Sequence, residues 1–375
     1  MLKKILIVIA VLAVLMIATA IVAYSTTDNF QQFGASPIGE RLAKLQASPY
    51  FNDGKFNNPA KWGENHLGMS FGMFNRWFFG QELREPEHSL PVVSLDRASF
   101  SDIPEPGLRV TWLGHSTAIV EIDNHRILFD PVWSERASPS SIMGPARFFP
   151  VPLRIEDLPP LDAVIISHDH FDHLDMHAVQ YLKDKNVKFI TPLGVGAHLE
   201  FWGVDPEQII ELDWWQITNK IPGMVIFATP ARHFSGRNPM KADETFWASF
   251  VLVGPYHRVF FSGDSGPCPG FAEIGNRYGP FDLTMIKIGA YSDDWPAIHL
   301  NPEQAIEAHR ALHGRVFLPI HWGTFNLAYH RWDEPIERAL QAAEEYSIRI
   351  VAPLPGQTVD VENPPPVETW WYAAQ

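Results

Sequence analysis

Residues 168–173 read His-Asp-His-Phe-Asp-His and come one residue, Ser167, after the apolar run 163–166. An apolar run of that kind reads as a buried strand, so the cluster sits where the strand ends and the backbone turns outward. Neutral imidazole and carboxylate are the ligands that zinc, iron and manganese share. His168 and His170, two residues apart, are placed to face one ion. Asp172 and His173 swing round the turn to face a second. A polar surface loop is the alternative, but groups crowded at a strand end without cations would be desolvated without partners. The pattern predicts a dinuclear metal site.

The rest of the composition narrows the class. A chain of 375 residues holds one large domain or two ordinary ones, and 46% hydrophobic content with 13 tryptophans is ample for a packed core. The formal charge of −14 argues against a nucleic-acid partner, which leaves a basic footprint. Cys268 is the single cysteine, so no intramolecular disulfide forms.

Lys3 and Lys4 precede an apolar run over 5–23 without charge, proline or glycine. As a helix it would span roughly 28 Å, about one hydrocarbon core. Residues 1–24 therefore read as a transmembrane anchor. A cleaved signal sequence is the rival, with Ala18, Ala20 and Ala23 offering small residues for processing. The lysines place the N-terminus in the cytoplasm and the body across the membrane, on the periplasmic or extracellular side if the host is bacterial. Residues 25–106 form a connecting and domain-packing segment. Its bulky apolar stretch 69–79 either packs on the body or exposes an aromatic surface at the membrane, as the lip of a lipid groove. Residues 86–106 read as an extended linker.

From residue 108 the pattern changes to short strands: 108–115, 118–122, 126–131, 163–167, 188–191, then 209–214, 225–229, 246–253, 258–262, 283–288 and 316–320. Helices are predicted over 175–185, 302–312 and 333–347, the second with Asn301 as N-cap and Pro302 at its first position. Two groups of strands with interspersed helices predict an α/β fold of two packed sheets flanked by helices. Residues 107–362 then form one catalytic domain and 363–375 a C-terminal tail. His233, Asp264 and His321 each lie just past the end of an apolar strand, and strand ends at one edge of packed sheets converge.

In that order, His168-x-His170-x-Asp172-His173, then His233, Asp264 and His321, the chain resembles the metallo-β-lactamase superfamily. Within it the chain looks most like the phospholipase D enzymes that hydrolyse N-acyl phosphatidylethanolamine. The matching stretches include Thr111-Trp112-Leu113-Gly114-His115-Ser116-Thr117, Phe129-Asp130-Pro131, His299-Leu300-Asn301-Pro302-Glu303 and Ile320-His321-Trp322-Gly323-Thr324-Phe325, within a likeness spanning roughly 55–355. The resemblance implies a four-layer αβ/βα sandwich holding two divalent ions, zinc first, with iron and manganese as alternatives. His168, His170 and His233 would hold one ion and Asp172, His173 and His321 the other, with Asp264 bridging both. A hydroxide between the ions would be the nucleophile, since metal binding lowers the pKa of water to about 7. The catalytic residues are then Asp172, Asp264 and His299, the last stabilising phosphoryl oxygen or the leaving alkoxide.

By the same resemblance Asp130 orients a ligand imidazole, and His115 lines the pocket or serves its turn. Asp169 departs from the asparagine of the vertebrate relatives and is either a supporting group or a proton carrier. The implied substrate is a membrane phospholipid, cleaved to phosphatidic acid and an N-acylethanolamine. A lactone, a β-lactam or a soluble phosphodiester is the alternative for the same fold. A homodimer is expected from the family alone. Cys268 reads as a packed thiol, His309 and His313 as a solvated helix face, and His177 and His198 lack partner ligands.

Overall fold

Period-two alternation decides what each strand touches. Ala118, Val120 and Ile122 join one buried cluster and Ile119 another; Ile127 and Phe129 part from Leu128 in the same way, and Ala163 and Ile165 from Val164 and Ile166. A sheet whose two sides are both apolar must be covered on both. In the computed structural model, which describes residues 12, 13, 16, 30–62, 71–100, 107–238 and 240–374, a second sheet covers one side and helices the other.

A short hairpin, β1 (Phe51–Asn52) with β2 (Lys55–Phe56), precedes the main body. The first large sheet then runs in chain order through β3 (Leu108–Gly114), β4 (Thr117–Ile122), β5 (His125–Phe129), β6 (Ala163–Ile165), β7 (Lys188–Pro192) and β8 (Ile209–Leu212). The second does the same through β9 (Ile217–Thr218), β10 (Val225–Thr229), β11 (Ser249–Val253), β12 (Arg258–Phe261), β13 (Phe281–Lys287), β14 (Gly314–Ile320) and β15 (Arg349–Ile350). β16 (Thr358–Asp360) returns to pair with β3.

Each sheet begins antiparallel and turns parallel, from β5–β6 onward in the first and from β12–β13 in the second. Parallel neighbours need a crossover, usually a helix. Numbering α1 (Gly39–Gln46) and α2 (Phe71–Phe79) in the N-terminal segment, the crossovers carry α3 (Met176–Leu182), α4 (Gly196–Phe201), α5 (Gly270–Tyr278), α6 (Pro302–Ala311) and α7 (Glu334–Glu345). The arrangement is the expected α/β fold of two sheets flanked by helices. Helices α3, α6 and α7 lie where the sequence predicts them, and Asn301 and Gln304 close a capping box at α6. Helices α4 and α5 are not foreseen, because Gly196, Gly270 and Gly275 dilute the helical signal of short segments. The strand predicted over 246–253 starts only at Ser249.

The flanking segments are bound into the body. Phe56 stacks on Phe246 at 4.3 Å and Tyr50 packs on Trp214 at 4.6 Å. Val93 N donates to Pro355 O and Leu95 N to Pro152 O, so the described part of the extended stretch 86–106 lies along the body. In the stretch 363–375, Trp370 and Trp371 are buried, and Trp370 packs on Trp322 at 5.5 Å. The apolar run 5–23 lies outside the described residues apart from Leu12, Ala13 and Met16; among the described residues no helix is long and apolar enough to cross a membrane.

Because Trp371 is fully enclosed, Trp371→Ala is expected to cost about 3–5 kcal/mol of stability. Urea unfolding followed by tryptophan fluorescence measures it, and a midpoint within error of the parent would refute a structural role for this terminal stretch.

Candidate metal centre

Strand direction brings the site together. β3 and β5 run the same way, as do β10, β12, β13 and β14, through the pairings of each sheet. Their C-terminal ends deliver His115, Asp130, His233, Asp264, Lys287 and His321, and β6, parallel to β5, delivers 168–173.

Asp130 fastens the first sheet's contribution. Its backbone N donates to Ile165 O at 2.9 Å, and its carboxylate accepts Ser167 N at 2.7 Å and Ser167 Oγ at 2.6 Å. Asp130 Oδ2 also meets His173 Nδ1 at 2.6 Å, which turns His173 Nε2 forward. Ser167 Oγ is 3.0 Å from His168 Nδ1, and His233 Nδ1 donates to Ile298 O at 3.1 Å. Holding one ring nitrogen in this way leaves the other for a metal. On the second sheet, Gly263 has φ +52° and passes so close to Ser167 that an added Cβ would stand 2.4 Å from the Ser167 Cβ. Only glycine lets the Asp264 turn approach there.

The ligand atoms converge. His170 Nδ1 lies 2.8 Å from His168 Nε2 and 3.3 Å from His233 Nε2. Asp172 Oδ2 lies 3.5 Å from His173 Nε2 and 3.3 Å from His321 Nε2. Asp264 stands between the two sets: Oδ1 is 3.5 Å from His173 Nε2, and Oδ2 is 3.1 Å from His321 Nε2 and 3.7 Å from His233 Nε2. Donors about 2.0–2.1 Å from a tetrahedral ion stand roughly 3.3 Å apart, so most of these spacings suit ligands sharing a cation. His173 Nε2, Asp264 Oδ1 and His321 Nε2 are buried without a hydrogen-bond partner among the described residues. Buried polar atoms left unpaired toward a common centre fit divalent cations.

The field agrees. Burial raises Asp264, yet His321 and His173 hold it well below the ordinary carboxylate range; His173 and His115 act likewise on buried Asp172. Burial lowers His168 well below its ordinary value and His233 to about 3. Ionised carboxylates and neutral imidazoles are the states metal ligands need. His173 is the exception: burial lowers it, but Asp264, Asp172 and Asp130 together raise it well above its ordinary value. Three carboxylates facing one ring demand positive charge beside it.

All seven residues singled out as ligands meet here, together with His115 and His299, the two further histidines expected at the pocket. His115 Nε2 is 2.9 Å from Asp172 Oδ2, and its donor atoms lie within 4.8 Å of those of Asp172, His173 and His321. His299 groups in the same way with His233 and Asp264. Lys287 was missed; the available signal was a lysine inside the apolar strand 283–288.

Asp169 turns away from the ligand atoms. Its carboxylate accepts Gly236 N, Thr245 Oγ1 and His198 Nε2, bracing the loop after His233 rather than carrying protons in the site. His309 corrects the solvated-face reading: it is buried and bonded to Thr284 Oγ1 at 2.7 Å, because α6 turns that face to the sheet. Cys268 is a packed thiol pushed up to about 12 by burial.

Known proteins resemble this chain. The family model described as the beta-lactamase superfamily domain matches residues 125–322. The chain is 50% identical over 268 residues to an uncharacterized protein of Mycobacterium tuberculosis, covering 70% of this chain and 72% of that one. It is 34% identical over 310 residues to the N-acyl-phosphatidylethanolamine-hydrolyzing phospholipase D 1 of Caenorhabditis elegans, covering 74% of this chain and 86% of the relative. Among solved structures, a metallo hydrolase from Ignicoccus hospitalis superposes with TM-score 0.53 at 24% identity, over 67% of this chain and 97% of that one; this likeness speaks to the fold.

The Asp130–His173 bond has a measurable consequence. Asp130→Asn is expected to weaken metal retention about 10–100-fold while the protein stays folded. Metal content after dialysis against graded chelator concentrations checks it; retention equal to the parent's would show that Asp130 does not orient the ring.

Proposed function

Since this chain belongs to the beta-lactamase superfamily and is a metal-dependent hydrolase of that fold, we propose that it is a phospholipase D-type phosphodiesterase that hydrolyses N-acyl phosphatidylethanolamine. The products are phosphatidic acid and an N-acylethanolamine. The observation that carries this reading is the likeness to the C. elegans phospholipase D over most of both chains.

His168, His170 and His233 would hold one ion, and Asp172, His173 and His321 a second, with Asp264 shared. When bound, the ions supply Lewis acidity toward phosphoryl oxygens and a water activated near neutral pH. The chain's own groups orient and position: Asp130 turns His173 forward, Ile298 O turns His233, and Gly263 admits Asp264 between the two sets. His299, beside Asp264 and 13% exposed, is placed to donate a hydrogen bond to the phosphoryl or leaving oxygen.

Apolar surface beside the site supports a lipid substrate. Trp77 and Phe79 on α2 are exposed, and Trp77 packs edge-on to Tyr329 at 5.8 Å. Ile142 and Met143 are exposed on the loop 134–146, just before Arg147, which bridges to Phe325; Phe325 lies 5.1 Å from His115. The N-terminal strap lies against the motif loop itself. Gln31 O accepts Trp202 Nε1, Gln32 O accepts Arg237 Nε, and Phe33 packs edge-on to Phe171 at 6.2 Å. From residue 23 to residue 30 an extended chain reaches about 25 Å at most. An anchor over 5–23 therefore keeps the motif loop close to the bilayer that holds the substrate, with the body on the periplasmic or extracellular side in a bacterium.

The test uses the full chain in mixed micelles with N-acyl phosphatidylethanolamine, with products followed by mass spectrometry. Phosphatidic acid and N-acylethanolamine are expected in equal amounts. Asp264→Asn, or chelation until zinc, iron or manganese is restored, should bring release to background. No release by a metal-loaded parent overturns the lipid assignment and favours a lactone or soluble phosphodiester.

A further inference from the structure

Lys287 stands at the end of β13 among Leu283, Met285, Ile286 and Ile288, and its side chain is completely enclosed. Enclosing an ammonium costs stability unless it is bonded and balanced by charge. Its Nζ donates to Gly289 O and pairs with His299 Nδ1. The backbone fixes its position: Lys287 N donates to Ser262 Oγ at 3.1 Å, and Lys287 stands in register with Ile320, the residue before His321. The amine is thus held level with the two turns that deliver Asp264 and His321. Burial pushes Lys287 down to about 7, while Asp264 and Asp172 pull it back toward the ammonium.

We propose that Lys287 is a positioning residue for His299, which it fixes as the neutral, Nε2-protonated tautomer held outside the metal ligand set. In its ammonium form, which Asp264 and Asp172 favour, Lys287 carries three donors and no acceptor, so the ring nitrogen it meets accepts. His299 Nδ1 lies 3.6 Å from Asp264 Oδ2. With its lone pair turned to Lys287, that nitrogen is unavailable to an ion, although its neighbours His233 and Asp264 stand at ligand spacing. The proton then resides on Nε2, and the ring acts as a fixed hydrogen-bond donor. The catalytic consequence rests on the proposed phosphodiesterase reading; the tautomer does not.

The experiment uses the full-length, metal-loaded protein labelled with 15N-histidine, the His299 signals being identified by their loss in His299→Gln. Long-range proton–nitrogen spectra report the tautomer of each neutral ring. In the parent, His299 is expected as the Nε2–H form. In Lys287→Met, similar in length but without a donor, that form should give way to Nδ1–H, with metal content and melting temperature at least those of the parent. Phospholipid turnover should fall about a hundredfold, in kcat rather than KM, as for loss of one oriented donor. Lys287→Gln, which keeps an N–H, should recover part of it. An Nδ1–H ring in the parent overturns the proposal even if no variant folds, and so does an unchanged tautomer in Lys287→Met. A tautomer switch in a protein that cleaves no phospholipid supports this assignment while removing the lipid reading.

Discussion

Negative charge enclosed without enough positive charge is the condition around which this molecule is built. Asp130, Asp172 and Asp264 all act on His173, and the ring is driven toward its cationic form although burial opposes it. Moving such charges out of water is costly unless they are paired. Lys287 is enclosed beside this centre, and its Nζ is bonded to Gly289 O and His299 rather than to a carboxylate. Metal ions would answer the requirement with compact charge at the point where the unpaired nitrogens and oxygen converge. Metal binding and the stability of the sheet ends would then be one problem, because the candidate ligands are the caps of the strands.

The topology explains why the caps meet. Each sheet begins antiparallel and turns parallel, so strands of one direction recur through both, and every one of them ends at the same edge. Open α/β sheets place their ligands beyond the carboxyl ends of strands. Here the rule draws on two sheets at once, with Asp130 stitching β5 to β6 and Gly263 admitting the Asp264 turn against Ser167.

That geometry also decides what could be read from the residues alone. His168, His170, Asp172, His173, His233, Asp264 and His321 were legible because each polar group interrupts an apolar strand at its end. His115 occupies the same kind of position after β3, and the same reasoning would have placed it beside Asp172. The roles of Lys287 and His309 were not legible, since each depends on a partner brought to it by the fold, His299 for one and Thr284 for the other, although the lysine inside an apolar strand was itself a signal. A helix-face reading of His309 fails because periodicity alone does not say which face of α6 meets the sheet. Helices α4 and α5 were hidden by glycines that the packing requires: at Gly275 an added Cβ would stand 2.1 Å from Ala311 O. The terminal tryptophans were invisible for a related reason, as two apolar residues near a chain end show no period.

Asp169 raises the question of whether an additional carboxylate in the motif disfavours an anionic phosphodiester. The charge acts on His170, but the carboxylate oxygens are engaged elsewhere. Both carboxylate oxygens are taken up by Gly236 N, Thr245 Oγ1 and His198 Nε2, while the buried Arg237 guanidinium donates to the backbone oxygens of Asp169 and Leu174 and lies 4.0 Å over the Phe171 ring. Hydrogen bonds to both oxygens keep the carboxylate ionised, and the guanidinium close by offsets part of its charge. What it also contributes is attachment. His198 accepts Ala35 N and Arg237 donates to Gln32 O, so the strap entering from the N-terminus is tied through Asp169 to the loop that carries His170 and Asp172. The residue that departs from the expected motif thus joins the metal-ligand loop to the segment leading toward the apolar N-terminal run, and a pull on that segment is borne by the loop that orients the site.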